Sequence, residues 1–291
     1  MIRKRIGDIT IQTVVEIDGP MFEPARLFPE WTTDILDANR DWMAPRHYDL
    51  ATGLFVMPIQ SFLIKTPYHT ILVDGCFGNH KERANPNFNM LDTPWLKRLA
   101  ATGTAPDDID FVMCTHLHGD HVGWNTRLDN GRWVPTFPNA TYLFAETEWR
   151  HWDDESRKSG EALAPHLEDS VLPVIDHGQA QFVDMDHEIE DSLTFEPLPG
   201  HTPGHVGLRV RSRGRDAILT GDMIHHPIQL VHQDLCSGFC HAPPLARATR
   251  RKFLETYADT DVLVAPAHFP APTFGFVRRA GDVFRFRFDG E

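Results

Sequence analysis

Between Cys114 and Asn125 the chain reads CTHLHGDHVGWN, which places three histidines and an aspartate within the six residues from His116 to His121. Imidazole nitrogen and carboxylate oxygen are both donors for a divalent cation. The preceding run, APDDIDFVMCTH, reads as a buried strand that delivers the cluster at its C-terminal end. In a fully extended chain the period of two puts His116, His118 and Asp120 on one face and His121 on the other. All four converge only if the chain turns near Gly119, where glycine makes a turn easy. Four donors from one loop still make half a centre, so a metal site requires a fold that brings further donors from other strand ends. The chain supplies them: PLPGHTPGH puts His201 in a Pro/Gly turn after a strand, AILTGDM puts Asp222 after another, and VLVAPAHF puts His268 after a third.

The remaining pattern is strand-rich. ITIQTVVEIDG, GLFVMPIQSFLIKT and HTILVDGC read as strands between Pro, Gly and Asn punctuation. TPWLKRLAATG reads as a short helix with Pro at its start and Gly at its end. FPNATYLFAETEWRHW gives a strand and a helix, and the polar stretch from Asp153 to Ser170 a further helix. The second half repeats the theme with SLTFEPLPGH, VGLRVRSRGRDAILTGD, the helix PPLARATRRKFLETYA, TDVLVAPAHF and DVFRFRFDG. The class is α+β, two β-rich halves with helices outside. With no linker or repeat in view, residues 1–291 are expected to form one domain. A Pro- and aromatic-rich N-terminal arm at about 20–50 interrupts the first strands. Two roles stay open for it: a lid or binding loop, or a contact with a second copy in a homodimer.

Composition removes several partner classes. A formal charge of −13 disfavours a nucleic-acid backbone as the main partner. No apolar run reaches the ~18 residues of a membrane span, and the start MIRKRIGDITIQ lacks the apolar core of a signal peptide. A cytoplasmic protein acting on small molecules is expected, with no nucleic acid and no membrane partner. The four cysteines, Cys76, Cys114, Cys236 and Cys240, are few for 291 residues and read as buried free thiols. The pair in CSGFC is open to bridging or to metal binding.

HLHGDH, GHTPGH, TGD and APAH, in this order, resemble the metallo-β-lactamase superfamily over nearly the whole chain. The resemblance implies a four-layer αββα sandwich with metals at one edge. It implies that His116, His118 and His201 hold one ion, that Asp120, His121 and His268 hold a second, and that Asp222 bridges them. Asp74, in LVDGC, falls on a strand-end aspartate that supports the metal loop in that family. Two divalent ions, zinc by ligand type with iron, manganese or cobalt able to use the same donors, imply hydrolysis by a metal-bridging hydroxide. Diiron flavoprotein relatives carry Glu where His118 stands, which disfavours redox use. Asp222 disfavours a true β-lactamase. The glyoxalase II branch adds a helical C-terminal domain, whereas this chain ends 23 residues after His268.

The pattern is most similar to the methyl parathion hydrolase group, through the early GDITI strand, FPNA, GHTPGH and the tail AHFPAPTFGFVRRAGDVFRFRF. This implies a hydrolase of lactones or carboxylic esters, with phosphotriester hydrolysis as the alternative. Asp120 and His225 are the candidate catalytic residues. His225 stands where acyl-homoserine lactonases carry a tyrosine, three residues after the bridging aspartate, and the resemblance suggests that it takes over as hydrogen-bond donor. His226 follows it, and His205 reads as a turn residue or a support for a ligand. Trp31, Trp42, Trp124 and Trp152 are the candidate pocket walls, with Phe28 and Met43 beside them. Aromatic walls with few polar anchors suit an apolar ester. No organic cofactor is expected.

Overall fold

The alternation in ITIQTVVEI becomes the strand Ile9–Ile17, which buries Ile9, Ile11, Thr13 and Val14. The computed structural model describes residues 1–159 and 162–291. Contacts divide them into two units, one of Met1, Arg3–Ile17 and Ile59–His187, the other of Ile2, Asp18–Pro58 and Glu188–Glu291.

The first unit is built on a seven-stranded sheet in the order Arg3–Ile6, Ile9–Ile17, Ile59–Lys65, Thr70–Val73, Phe111–Met113, Thr141–Ala145, Ala180–Val183. The first four strands pair antiparallel. The last four are parallel neighbours, and parallel strands need crossovers, usually helical. Trp95–Ala100 lies in one crossover; Glu146–Ser159, Pro165–Ser170 and Leu172–Asp176 lie in the last. The expected helix over Asp153 to Ser170 is thus the end of one helix and a second short one, with 160 and 161 outside the described residues.

The second unit carries a seven-stranded sheet in the order Glu188–Glu190, Leu193–Pro197, Val206–Ser212, Arg215–Leu219, Leu263–Ala265, Gly275–Ala280, Val283–Phe288. Its pairs are antiparallel except Arg215–Leu219 with Leu263–Ala265. The connection between those two contains the helix Pro243–Tyr257, which has Pro at its start and buries Ala246, Arg250, Phe253, Leu254 and Tyr257 on one face. Phe253 and Leu254 join Ile218, Val264, Phe269 and Phe284 in the core.

GLFVMPIQSFLIKT forms two strands rather than one. Leu54–Val56 pairs with Pro20–Phe22 and Tyr48–Asp49 in a small sheet, and Ile59–Lys65 belongs to the large sheet of the first unit. Pro58 lies between them and has no N–H for a ladder. The arm is more ordered than its composition suggests: Thr33–Met43 is a helix, and Thr32 Oγ1 accepts the Ile35 N–H at 3.4 Å. Leu27, Phe28, Met43, Tyr48 and Phe55 pack with Ile228 and Leu235 into a second core. Among the described residues no helix is long and apolar enough to cross a membrane.

Candidate metal centre

In the first unit the donors follow the strand Phe111–Met113. The chain turns at Gly119, as its position suggests, but by entering a helical turn, Gly119–Val122, rather than through a left-handed residue. Asp74, at the end of the neighbouring parallel strand, ties this loop down. Its Oδ1 accepts the Thr115 N–H at 2.7 Å, and its Oδ2 faces His121 Nδ1 at 2.9 Å. Gly123 N–H donates to the Cys76 carbonyl at 2.7 Å. A Cβ on Gly123 would lie 1.8 Å from Phe77 O, so only glycine permits this approach. His116 and His121 are buried; His118 and Asp120 are half-buried.

In the second unit His201, Asp222 and His268 also follow strands, two of them the parallel pair. Ligand-binding residues in open α/β sheets gather at such C-terminal strand ends. Asp222 is the hub: its Oδ1 is 3.0 Å from His268 Nε2, and its Oδ2 is 3.2 Å from His225 Nε2 and 3.4 Å from His201 Nε2. Donor atoms of His201, Asp222 and His225 lie within 4.8 Å of one another, so His225 stands among the candidate metal donors. His205 Nδ1 donates to the Leu198 carbonyl at 3.1 Å, and its Nε2 accepts the Asp222 N–H at 3.0 Å. This histidine therefore anchors the backbone of Asp222. His226 is a core residue, with Nε2 donating to the His47 carbonyl at 3.0 Å and Nδ1 accepting the Ile228 N–H at 3.2 Å.

The tautomers test whether a cation suits these donors. His268 Nδ1 faces the Pro58 carbonyl at 3.0 Å, and a carbonyl only accepts, so Nδ1 carries the proton. Its Nε2 lies 3.0 Å from Asp222 Oδ1. His121 repeats the pattern: Nδ1 donates to Asp74 at 2.9 Å, and Nε2 lies 3.7 Å from Asp120 Oδ2. With the proton held on Nδ1, the neutral ring offers its Nε2 lone pair to a cation that the facing carboxylate can share. Partners on the far nitrogen that fix the tautomer are characteristic of metal-binding histidines. The donor chemistry fits divalent metal.

Of the aromatic residues singled out in the sequence, Trp152 stands beside a donor, its ring 5.7 Å from that of His118. Trp124 is buried, stacked on Trp95 at 5.2 Å, and its indole N–H donates to Glu16 at 2.6 Å. Trp31 packs edge-on against Phe55, and Arg285 lies over Trp42. Phe28 and Met43 are fully buried. Sequence reasoning missed Glu148, a buried carboxylate that accepts the Leu117 N–H at 3.1 Å and the Trp152 N–H at 2.9 Å. Its four-residue spacing from Trp152 on a helix was the available signal. The four cysteines are free thiols.

A model of the metallo-beta-lactamase superfamily matches residues 54–268. The N-acyl homoserine lactonase of Bacillus thuringiensis is 25% identical over 178 residues, a match that covers 57% of this chain and 63% of that protein, less than two thirds of its length. N-acyl homoserine lactonase AttM of Agrobacterium fabrum (strain C58 / ATCC 33970) is 26% identical over 232 residues, 74% of this chain and 83% of AttM. The crystal structure of hydrolase AbOPH, in the beta lactamase superfamily, superimposes with TM-score 0.82 at 22% identity, covering 100% of this chain and 97% of that one. AidC, a dizinc quorum-quenching lactonase, gives TM-score 0.80 at 23% identity, covering 99% and 97%.

Proposed function

This chain belongs to the metallo-β-lactamase superfamily, and we propose that it is a dinuclear, zinc-dependent hydrolase of lactones or carboxylic esters. The observation that carries this reading is the set of imidazoles whose Nδ1 is tied to a fixed acceptor while Nε2 faces a carboxylate, His268 on Asp222 and His121 on Asp120. We assign one ion to His116, His118 and His201, the other to Asp120, His121 and His268, and the bridge to Asp222, with residues 1–291 working as one hydrolase domain. Zinc suits imidazole and carboxylate donors. The ions, when bound, supply an acidified water as nucleophile and Lewis acidity at the scissile carbonyl.

The chain's own groups hold this chemistry in place. Asp74 keeps the proton on His121 Nδ1, and His205 holds the backbone N–H of Asp222 in place. Asp120 is the carboxylate that would steer the attacking water. We assign His225 the hydrogen-bond donor role towards the substrate, because its Nδ1 is buried without a hydrogen-bond partner among the described residues. Unchanged turnover in His225→Ala would remove that role. Trp152, beside His118, would wall the acyl side. The lactone preference draws support from the lactonases at 25% and 26% identity.

The test couples elemental analysis to turnover on one sample, with an aryl ester, short- and long-chain lactones and a phosphotriester. The expected result is two divalent ions per chain and lactone or ester hydrolysis, lost on chelation and restored by zinc. A metal-free active protein overturns the reading, and a preference for the phosphotriester replaces the substrate class.

A further inference from the structure

The loop that contains CSGFC lies between the helices Ile228–Val231 and Pro243–Tyr257. A turn closed by the Cys240 N–H on the Ser237 carbonyl at 3.0 Å brings the Cys236 and Cys240 thiols into hydrogen-bonding contact. Cys236 is buried and Cys240 half-buried. Cys236 Sγ also lies 3.8 Å from the Pro243 carbonyl, and Cys240 Sγ lies 3.4 Å from His201 Nδ1. With a metal on His201 Nε2, its Nδ1–H would donate to Cys240 sulfur, while Cys240 S–H donates to Cys236 sulfur and Cys236 S–H to the Pro243 oxygen. A chain of three donors therefore ends on a metal-facing imidazole. His268 has a rigid backbone carbonyl in the same place; His201 has an oxidisable sulfur.

We propose that Cys236 and Cys240 form a reversible thiol–disulfide pair, and that the reduced pair positions the His201 ring. The coupling to metal rests on the reading of the site given above; formation of the disulfide does not. The oxidant is a hydroperoxide. Cys236, whose thiol the Cys240 S–H holds down to about 7, loses its proton to solvent and its sulfur attacks a peroxide oxygen. The O–O bond breaks, leaving a sulfenic acid and one water when the oxidant is hydrogen peroxide. Cys240 sulfur then attacks the sulfenyl sulfur, the S–S bond forms, and the hydroxyl leaves as a second water with the Cys240 proton. Two thiols are oxidised and one peroxide is reduced. The disulfide has no S–H, so the links to Cys236 sulfur and to Pro243 are lost and His201 is left with a weaker, displaced acceptor.

The experiment exposes the full-length, metal-loaded protein to hydrogen peroxide, blocks remaining thiols by alkylation and maps the cysteine peptides by mass. The expected product joins Cys236 to Cys240 with loss of two hydrogens and reverts with dithiothreitol. Cys76 and Cys114 are buried against Ser61 and Asn125 and stay reduced. Transfer of metal to a chromogenic chelator is expected to be about tenfold faster from the oxidised protein, in line with the loss of a partner behind a metal-binding histidine. In Cys236→Ser peroxide produces neither the cross-link nor the faster transfer. No cross-link under excess peroxide overturns the pair, and a cross-link with unchanged metal transfer overturns the positioning of His201. The mass readout needs neither metal nor substrate, so failure of the hydrolase reading is seen separately.

Discussion

What a histidine does in this protein follows from what its second nitrogen touches. His268 and His121 donate from Nδ1 and turn Nε2 to a carboxylate, whereas His205 spends both nitrogens on Leu198 and Asp222. His205→Ala should therefore lower metal affinity by about 10–100-fold without removing a ligand, which chelator competition would measure. An unchanged affinity would show that Asp222 needs no such support. His226 behaves differently again, since protonation would place a hydrogen where Ile228 N–H donates. Burial pushes its pKa down to about 3, and that of His47 to about 2. An unfolded imidazole titrates near ~6.5, so between that value and about 3 only the unfolded chain takes up the proton. The stability contribution is complete above ~6.5 and is lost as the pH falls through the window. At pH 5 the loss should be roughly 2 kcal/mol for His226. Urea midpoints at pH 8 and pH 5 should separate the parent from His226→Leu, which loses less. The spacing HLHGDH exposed the donor cluster directly. The partners that sort His205 from His226 are backbone groups brought in by folding, the His47 carbonyl among them, and no local pattern announces them.

The elements were readable wherever alternation or capping was strong. Ile9–Ile17 and Pro243–Tyr257 match their sequence signals closely, and the strand ends carrying His116, His201, Asp222 and His268 were visible because apolar runs stop there. The helix Thr33–Met43 was obscured by the prolines and aromatics around it, although Thr32 and the spacing of Ile35, Asn39 and Met43 marked its start and its inner face. The tight contact behind the metal loop was also hidden, because a sequence does not show which backbone a glycine will meet. Gly123→Ala sets a Cβ against Phe77 O and should destabilise the protein by several kcal/mol or displace the loop with loss of metal. Gly131→Ala is the contrast: its φ is +78° but nothing lies within 4 Å, so the cost should be only about 1–2 kcal/mol. Equal thermal shifts for the two variants would mean that the close approach carries no weight. Phe253→Ala, in the core of the second unit, should cost about 3–5 kcal/mol in chemical denaturation while leaving m unchanged.

For the molecule as a whole, bound ions would act as ligands of the native state alone. At a free metal concentration one hundred times Kd, each site adds about 2.7 kcal/mol. Chelation should therefore lower the thermal midpoint by several degrees, and zinc should restore it. A midpoint indifferent to chelator would argue that the donors are not filled. The α+β class and the two sheet-rich halves were legible from the pattern of strands and helices, but the allotment of segments to units was not. Asp18–Pro58 joins Glu188–Glu291 although 129 residues of the other unit intervene.

That interleaving has a consequence for the order in which the chain is made. By the time residue 187 leaves the ribosome, every strand of the first large sheet has been synthesised. The arm, with Leu27, Phe28, Met43 and Phe55, must still wait for Ile228 and Leu235 before its apolar side chains can complete their core. During that interval it is the segment most in need of shielding from aggregation. A nascent chain arrested after residue 187 should accordingly recruit chaperones through residues 18–58.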